Sequence, residues 1–265
     1  MEDWLRIFYY NQLSEWEFAS KNVKSLDKVR KKPFRIGDFK GYIQYNPARA
    51  ISTMSKTDKN GIKERQCFLC SKNRPKEQNC IDIIENWELL VNPYPILPYH
   101  FTIVNKNHTL QKFDFEIGKR LAEKLPAMVV FYNDDGAGAS APDHLHFQSV
   151  PIQEVPMINF IENNNIQNFD KLDFPFNFII DKNESNHFTS PLNAFFWRSK
   201  NGEIRFLIIP RKAHRPNYYY LQLPFRRAIS PGALDMAGVM VTPFEDDFNR
   251  ITLEEIKDIY NQVGY

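Results

Sequence analysis

The stretch Asp143-His144-Leu145-His146-Phe147-Gln148 constrains this chain more than any other. Its polar and apolar side chains alternate, which predicts a strand, because successive strand residues point to opposite faces. His144, His146 and Gln148 then share one face, while Leu145 and Phe147 pack inward. The loop before it, Asn133-Asp134-Asp135-Gly136-Ala137-Gly138-Ala139-Ser140, is built of small residues that let backbone approach a ligand. Two imidazoles and a carboxamide beside such a loop suit a histidine that handles a phosphate. A buried strand with two satisfied histidines would show the same alternation.

A second group lies upstream. Cys67-Phe68-Leu69-Cys70 is a C-x2-C hook, and His108 and His144 follow it at long spacing. Thiolates and imidazoles together suit tetrahedral zinc. A thioredoxin-like redox pair has the same spacing but belongs at a strand-to-helix turn. Here the pair sits in a polar loop, between Lys63-Glu64-Arg65-Gln66 and Ser71-Lys72-Asn73-Arg74-Pro75. Two plain cysteines are the third reading. Cys80 reads as a spare apolar residue.

With 265 residues and 43% hydrophobic content, the chain can bury one sizeable core or two fused half-cores. A net charge of +2 argues against a nucleic-acid partner held by bulk electrostatics. Three cysteines, two of them in the hook, point to a reducing compartment, hence the cytoplasm. No apolar stretch has the length of a membrane span, and Met1-Glu2-Asp3-Trp4-Leu5 lacks a signal-peptide core.

Periodicity predicts a helical arm over 3–24 and strands over 39–45, 88–91, 101–104, 128–132 and 144–150. Further strands are expected over 177–180, 194–198 and 204–209. Helices are expected over 114–124, capped by Asp114, and over 253–260. The basic run 28–35 reads as a solvated face, and 161–170 as a loop between halves. Phe101-Thr102-Ile103-Val104 and Phe206-Leu207-Ile208-Ile209 each lead to a basic, histidine-bearing turn, which hints at an internal repeat.

These motifs resemble the histidine-triad superfamily, in the branch of galactose-1-phosphate uridylyltransferase, diadenosine tetraphosphate phosphorylase and GDP-hexose phosphorylase. Beyond the two motifs, Asn46-Pro47-Ala48-Arg49-Ala50, Asn92-Pro93-Tyr94-Pro95 and Ile208–Pro216 carry the likeness, over roughly residues 40–245. Ser140 to His144 is one residue longer than in the uridylyltransferases, which leans the reading towards phosphorylases. The resemblance implies an α+β fold of two fused half-barrels of antiparallel strands with flanking helices. Residues 1–160 would hold the zinc and nucleophile motifs, and 161–265 a degenerate second half. It implies zinc on Cys67, Cys70, His108 and His144, and His146 as nucleophile.

The expected activity is nucleotidyl transfer from a nucleoside diphosphate sugar or dinucleoside polyphosphate, through a nucleotidyl-histidine, to inorganic phosphate or a sugar phosphate. Gln148 would hold the phosphoryl group, with Asn133, Gly138 and Ser140 around it. Arg49, Lys56, Arg211, Lys212 and Arg215 are the expected phosphate clamps, with Arg211, Lys212 and His214 facing the His146 cleft. The competing classes are a zinc-dependent nucleotide hydrolase and a catalytically silent nucleotide-binding module. Neither nucleic acid nor membrane is expected as a partner, and the chain would be a monomer or homodimer.

Overall fold

In the computed structural model the described residues are 1–54, 61–62, 65–167, 174–181, 188–189 and 191–265. The central strand shows how the body is built. β6 (Met128–Asn133) is buried at every position. Val129 and Phe131 enter one core, and Val130 and Tyr132 the other. A strand that is apolar on both faces needs cover on both.

That strand belongs to an eight-stranded sheet with the order β3-β4-β5-β7-β6-β9-β10-β8. The other members are β3 (Cys80–Ile84), β4 (Trp87–Val91), β5 (Phe101–Asn105), β7 (His146–Pro151), β8 (Ile179–Ile180), β9 (Leu192–Arg198) and β10 (Ile204–Pro210). All its pairings are antiparallel. The β6–β9 ladder, with Phe131 opposite Phe195, joins the earlier strands to the later ones in one continuous sheet. The fold is α+β.

One face is covered by the Asp3–Glu15 and Phe115–Lys124 helices, whose Leu5, Phe8, Leu121 and Ala122 pack with Phe147 and Phe196. Asp114 caps the second helix as expected, its Oδ1 accepting the Ile117 N–H at 3.0 Å. Against the other face lie the Pro156–Asn163 and Leu253–Val263 helices and a small second sheet. That sheet has the order β1-β2-β11, from Arg30–Ile36, Phe39–Tyr45 and Val239–Thr242. β1 and β2 are antiparallel, but β11 joins β2 in parallel, a departure from an all-antiparallel plan.

Three segments differ from the sequence-based expectation. The basic run 28–35 is the solvated face expected, but it is carried on strand β1, whose period of two shows only where Phe34 and Ile36 turn inward. Part of 161–170 is helix, opened by Pro156 at a helical first-turn position and ending in the asparagines read as loop. Cys80 is exposed, on edge strand β3, rather than filling a core. Among the described residues no helix is long and apolar enough to cross a membrane.

Gly118 lets the Phe115–Lys124 helix approach β9. A Cβ there would land in the Phe196 ring. Gly118→Ala should therefore destabilise the protein by about 1–3 kcal/mol through overpacking. On an open helix face the same change would stabilise by about 1 kcal/mol. A urea-denaturation midpoint at or above that of the wild type would overturn this account of the contact.

Candidate active site

β7 starts at His146, two residues later than the alternation predicts. A turn precedes it, although the Leu145 carbonyl still accepts from the Asn105 N–H of β5 at 3.1 Å. The His144 N–H donates to the Ala141 carbonyl at 3.1 Å, and the Leu145 N–H to the Thr109 carbonyl at 2.7 Å. The alternation nevertheless persists: Leu145 packs with Phe147 in one core, while both histidines turn to the other side. His144 turns towards the cysteine loop, while His146 lines a cavity of about 830 Å³.

Around His144 the ligating atoms of Cys67, Cys70, His108 and His144 all lie within 4.8 Å of one another. Sγ of Cys67 is 3.2 Å from His144 Nδ1, and Sγ of Cys70 is 3.2 Å from His108 Nδ1. Bonds of ~2.0–2.3 Å to a tetrahedral zinc would space such atoms by roughly 3.5 Å. His144 Nε2 donates to the Asn105 carbonyl at 2.7 Å, which leaves the Nδ1 lone pair directed at the sulfurs. Asn73 Nδ2 and Arg74 Nε donate to the Cys67 and Leu69 carbonyls, each at 2.8 Å, and brace the loop. The donor set and its spacing fit a closed tetrahedral site.

His146 is held on three sides. Its backbone N–H donates to Gln111 Oε1 at 2.9 Å, and its carbonyl accepts from Gln111 Nε2 at 3.0 Å. Its ring Nδ1 donates to the His144 carbonyl at 2.8 Å. A carbonyl only accepts, so Nδ1 carries the proton and Nε2 keeps its lone pair for the cavity. Burial pulls the imidazole down to about 4, so it is neutral at pH 7.

Gln148 follows on the same face of β7, opposite Thr102 of β5. Its amide is oriented by His100. The Ile96 N–H donates to His100 Nδ1 at 3.2 Å, so His100 Nε2 bears the proton and donates to Gln148 Oε1 at 2.8 Å. Asn92 Nδ2 approaches the same oxygen at 3.4 Å. The Gln148 NH2 is then the end left for the cavity. Burial, helped by the charge of Arg49, pulls His100 down to about 3 and keeps it neutral.

The small-residue loop forms the next wall. Gly138 has φ +96°, and a Cβ on it would stand 2.5 Å from Gly232 Cα. Loop and Pro231-Gly232 backbone therefore touch, as only glycine permits. Asn133 spans this contact, its Oδ1 accepting from Asn193 Nδ2 at 3.0 Å and the Ala233 N–H at 2.7 Å. Asn133, Gly138 and Ser140 all line the cavity.

The expected phosphate clamps divide. Arg49 lines the cavity, with its Nε buried and without a partner among the described residues, and Nη1 on the Tyr94 carbonyl at 2.5 Å. Burial lowers it only to about 10, so it stays charged. Lys56 lies outside the described residues. Arg211 and Lys212 are not in the cavity wall. Arg211 is fully buried, and its guanidinium is used internally. It donates to Asn193 Oδ1 and to the carbonyls of Val263, Ala213, His214 and Pro231. Lys212 points outward, with Nζ 3.2 Å from the Asn261 carbonyl. Beyond Lys212 the chain reaches the cavity, and the expected His214 and Arg215 do line it.

Sequence reasoning passed over Gln111, His100 and Asp235. Gln111 carried no signal, since its contacts are all long-range. His100 could have been found, because it shares the parity of Thr102 on the strand facing Gln148. Asp235, also in the cavity wall, accepts from the Gly232 and Val241 N–H groups at 3.0 and 2.8 Å. Burial raises it to about 6.

A sequence model of the family described as a domain of unknown function, DUF4922, matches residues 8–151. The chain belongs to that family. No curated protein matches it. Among solved structures, yeast Ap4A phosphorylase Apa2 superposes with a TM-score of 0.60 at 13% identity, over 94% of this chain and 96% of that one. Apa2 in complex with AMP gives 0.60 at 12%, over 96% of each chain. Apa2 in complex with Ap4A gives 0.56 at 12%, over 96% of this chain and 97% of that one. At these identities the likeness is one of fold.

The buried neutral state of His146 has a consequence for stability. Its folded pKa, about 4, lies below the unfolded value of ~6.5. Between these values the unfolded chain binds the extra proton, so falling pH destabilises the fold. Wild type should lose up to roughly 3 kcal/mol relative to His146→Asn between pH 7 and pH 4. The comparison removes the opposing contribution of Asp235, whose raised pKa favours the folded state on acidification. Parallel stability profiles for the two proteins would contradict a buried neutral His146.

Proposed function

We propose that this DUF4922 protein is a phosphorylase-type nucleotidyltransferase. It would cleave a dinucleoside polyphosphate, or a nucleoside diphosphate sugar, through a nucleotidyl group carried on His146. Inorganic phosphate or a sugar phosphate would be the acceptor. One observation carries the reading: a neutral imidazole, tethered at Nδ1 by its own chain, offers Nε2 to a cavity beside an oriented carboxamide. The fold likeness to Ap4A phosphorylase supports it, and the Ap4A-bound neighbour favours dinucleoside polyphosphates over sugar nucleotides.

The Nε2 lone pair attacks the α-phosphorus of the bound nucleotide. An N–P bond forms, the bridging P–O bond breaks, and its electron pair leaves on a phosphate oxygen that needs no prior protonation. The Nδ1–H bond to the His144 carbonyl stabilises positive charge on the ring. Gln148 donates to a non-bridging oxygen of the group in transfer, and Arg49 offsets phosphate charge. An oxygen of the acceptor phosphate then attacks phosphorus, the N–P bond breaks, and neutral His146 returns.

Zinc on Cys67, Cys70, His108 and His144 completes the reading. Four protein donors leave no position for substrate, so the ion would act by placement. It would tie the cysteine loop and the His108 turn to the residue whose carbonyl holds His146. Metal analysis should find about one zinc per chain, lost in Cys67→Ser and retained in His146→Ala. Wild-type protein purified without added metal and lacking zinc, yet stably folded and active, would remove the ion from this picture.

Wild type incubated with Ap4A and no acceptor should yield an acid-labile, base-stable nucleotidyl adduct on His146. His146→Ala should lose the adduct and at least ~10³-fold in turnover, while keeping zinc and stability. Turnover without adduct or product exchange would mean direct attack by phosphate or water instead.

A further inference from the structure

The cavity has one wall that the transfer chemistry does not use. Its aromatic side chains, Trp16, Phe18 and Tyr94, come from the N-terminal helices and the loop after β4. The helices break at Trp16, which has extended backbone (φ −121°, ψ 91°) between Asp3–Glu15 and Glu17–Lys24. The break directs Trp16 and Phe18 to the cavity. Trp16 is buried, whereas Phe18 is 45% exposed. The Phe18 ring meets Tyr94 edge-on at 5.5 Å and lies 6.2 Å from Trp16.

The arm is fastened in this position. Gln12, 1% exposed, donates from Nε2 to the Glu77 carbonyl and accepts from the Asn79 N–H at Oε1, both at 2.6 Å. Asn22 Nδ2 donates to the Pro93 carbonyl at 2.8 Å, beside Tyr94. A buried amide satisfied on both ends is costly to displace. The aromatic wall is thus a built part of the cavity.

Its neighbours suggest what it meets. Arg49 Nη1 donates to the Tyr94 carbonyl, and the charge of Arg49 acts on His100, which orients Gln148. Aromatic rings, a guanidinium and a carboxamide thus follow one another towards His146. A nucleotide offers a matching series, a flat base and then anionic phosphates. At about 830 Å³ the cavity is at the large end of the ~300–1,000 Å³ usual for small-molecule sites.

We propose that Trp16, Phe18 and Tyr94 form a nucleobase-stacking shelf, so that the N-terminal arm is a substrate-selecting element of this site. The proposal rests on the nucleotide-handling reading above. The shelf selects for a base, and so for nucleotides over base-free phosphates of the same charge. Phe18 supplies its open face.

Titration calorimetry on the full chain, with AMP and ribose 5-phosphate as probes, tests this. Phe18→Ala should weaken AMP by ~5-fold or more, in line with the loss of one base–aromatic stack, and leave ribose 5-phosphate within ~2-fold. Phe18→Trp should retain AMP affinity, whereas Phe18→Leu, apolar but not aromatic, should behave as Phe18→Ala. Unchanged AMP affinity in Phe18→Ala, or equal losses for both probes, overturns the shelf. If wild type binds AMP and forms the His146 adduct in either case, the transferase reading stands without the shelf. A wild type that binds neither AMP nor Ap4A overturns both.

Discussion

The hydrogen bond from His146 Nδ1 to the His144 carbonyl, 2.8 Å long, joins the two halves of this site. It settles the tautomer of His146 and thereby the direction of its lone pair. It also makes that direction depend on where the His144 backbone lies. His144 in turn is placed by the turn from Ala141, by the Asn105 carbonyl on its own Nε2, and by the sulfurs near its Nδ1. Any ion held by the cysteine cluster therefore acts on His146 through one peptide unit, without touching the cavity.

A buried polar network of this kind tolerates few vacancies, because an unpaired group in a low-dielectric interior is costly. Gln111 satisfies both main-chain groups of His146 and also donates to the Asn133 carbonyl at 2.8 Å. His100 does the same service for Gln148. Neither set of bonds uses the cavity-facing atoms of His146 or Gln148. Each removes a rotational choice, the preorganisation that the proposed phosphoryl transfer would require.

What could be read from the chain follows from how local the signal is. The β4–β5 pairing, the Asp114 cap and the apolar core of β6 are written in alternation and capping over a few residues. The cysteine hook and His-x-His-x-Gln are compact motifs, and the structure brings Cys67, Cys70, His108 and His144 together. Alternation holds through Leu145 and Phe147, but a turn bond at His144, invisible in a period-two pattern, starts the strand two residues later. Local pattern failed at Arg211, where a basic residue after an apolar strand reads as a ligand clamp. Only its five internal acceptors reveal that it is a brace. Strand β11 was missed because its partner in the small sheet lies about 200 residues earlier, in β2.

Arg211 also explains how the later part of the chain reaches the cavity at all. By gathering the carbonyls of Ala213, His214 and Pro231 around one guanidinium, it bends the chain after β10 back towards the Gly138 loop. His214 and Arg215 enter the wall on that bend. Ser230 Oγ lies 3.0 Å from His214 Nε2 and accepts from Arg215 Nε at 3.0 Å. Burial, with Arg215 and Arg211 beside it, pulls His214 down to about 3. Ser230 thus links the neutral His214 ring to the Arg215 guanidinium in the wall. Of the phosphate clamps expected from this half, Arg215 is the one that lines the cavity. The buried arginine shapes the backbone, and the half-buried end of the same loop lines the cavity.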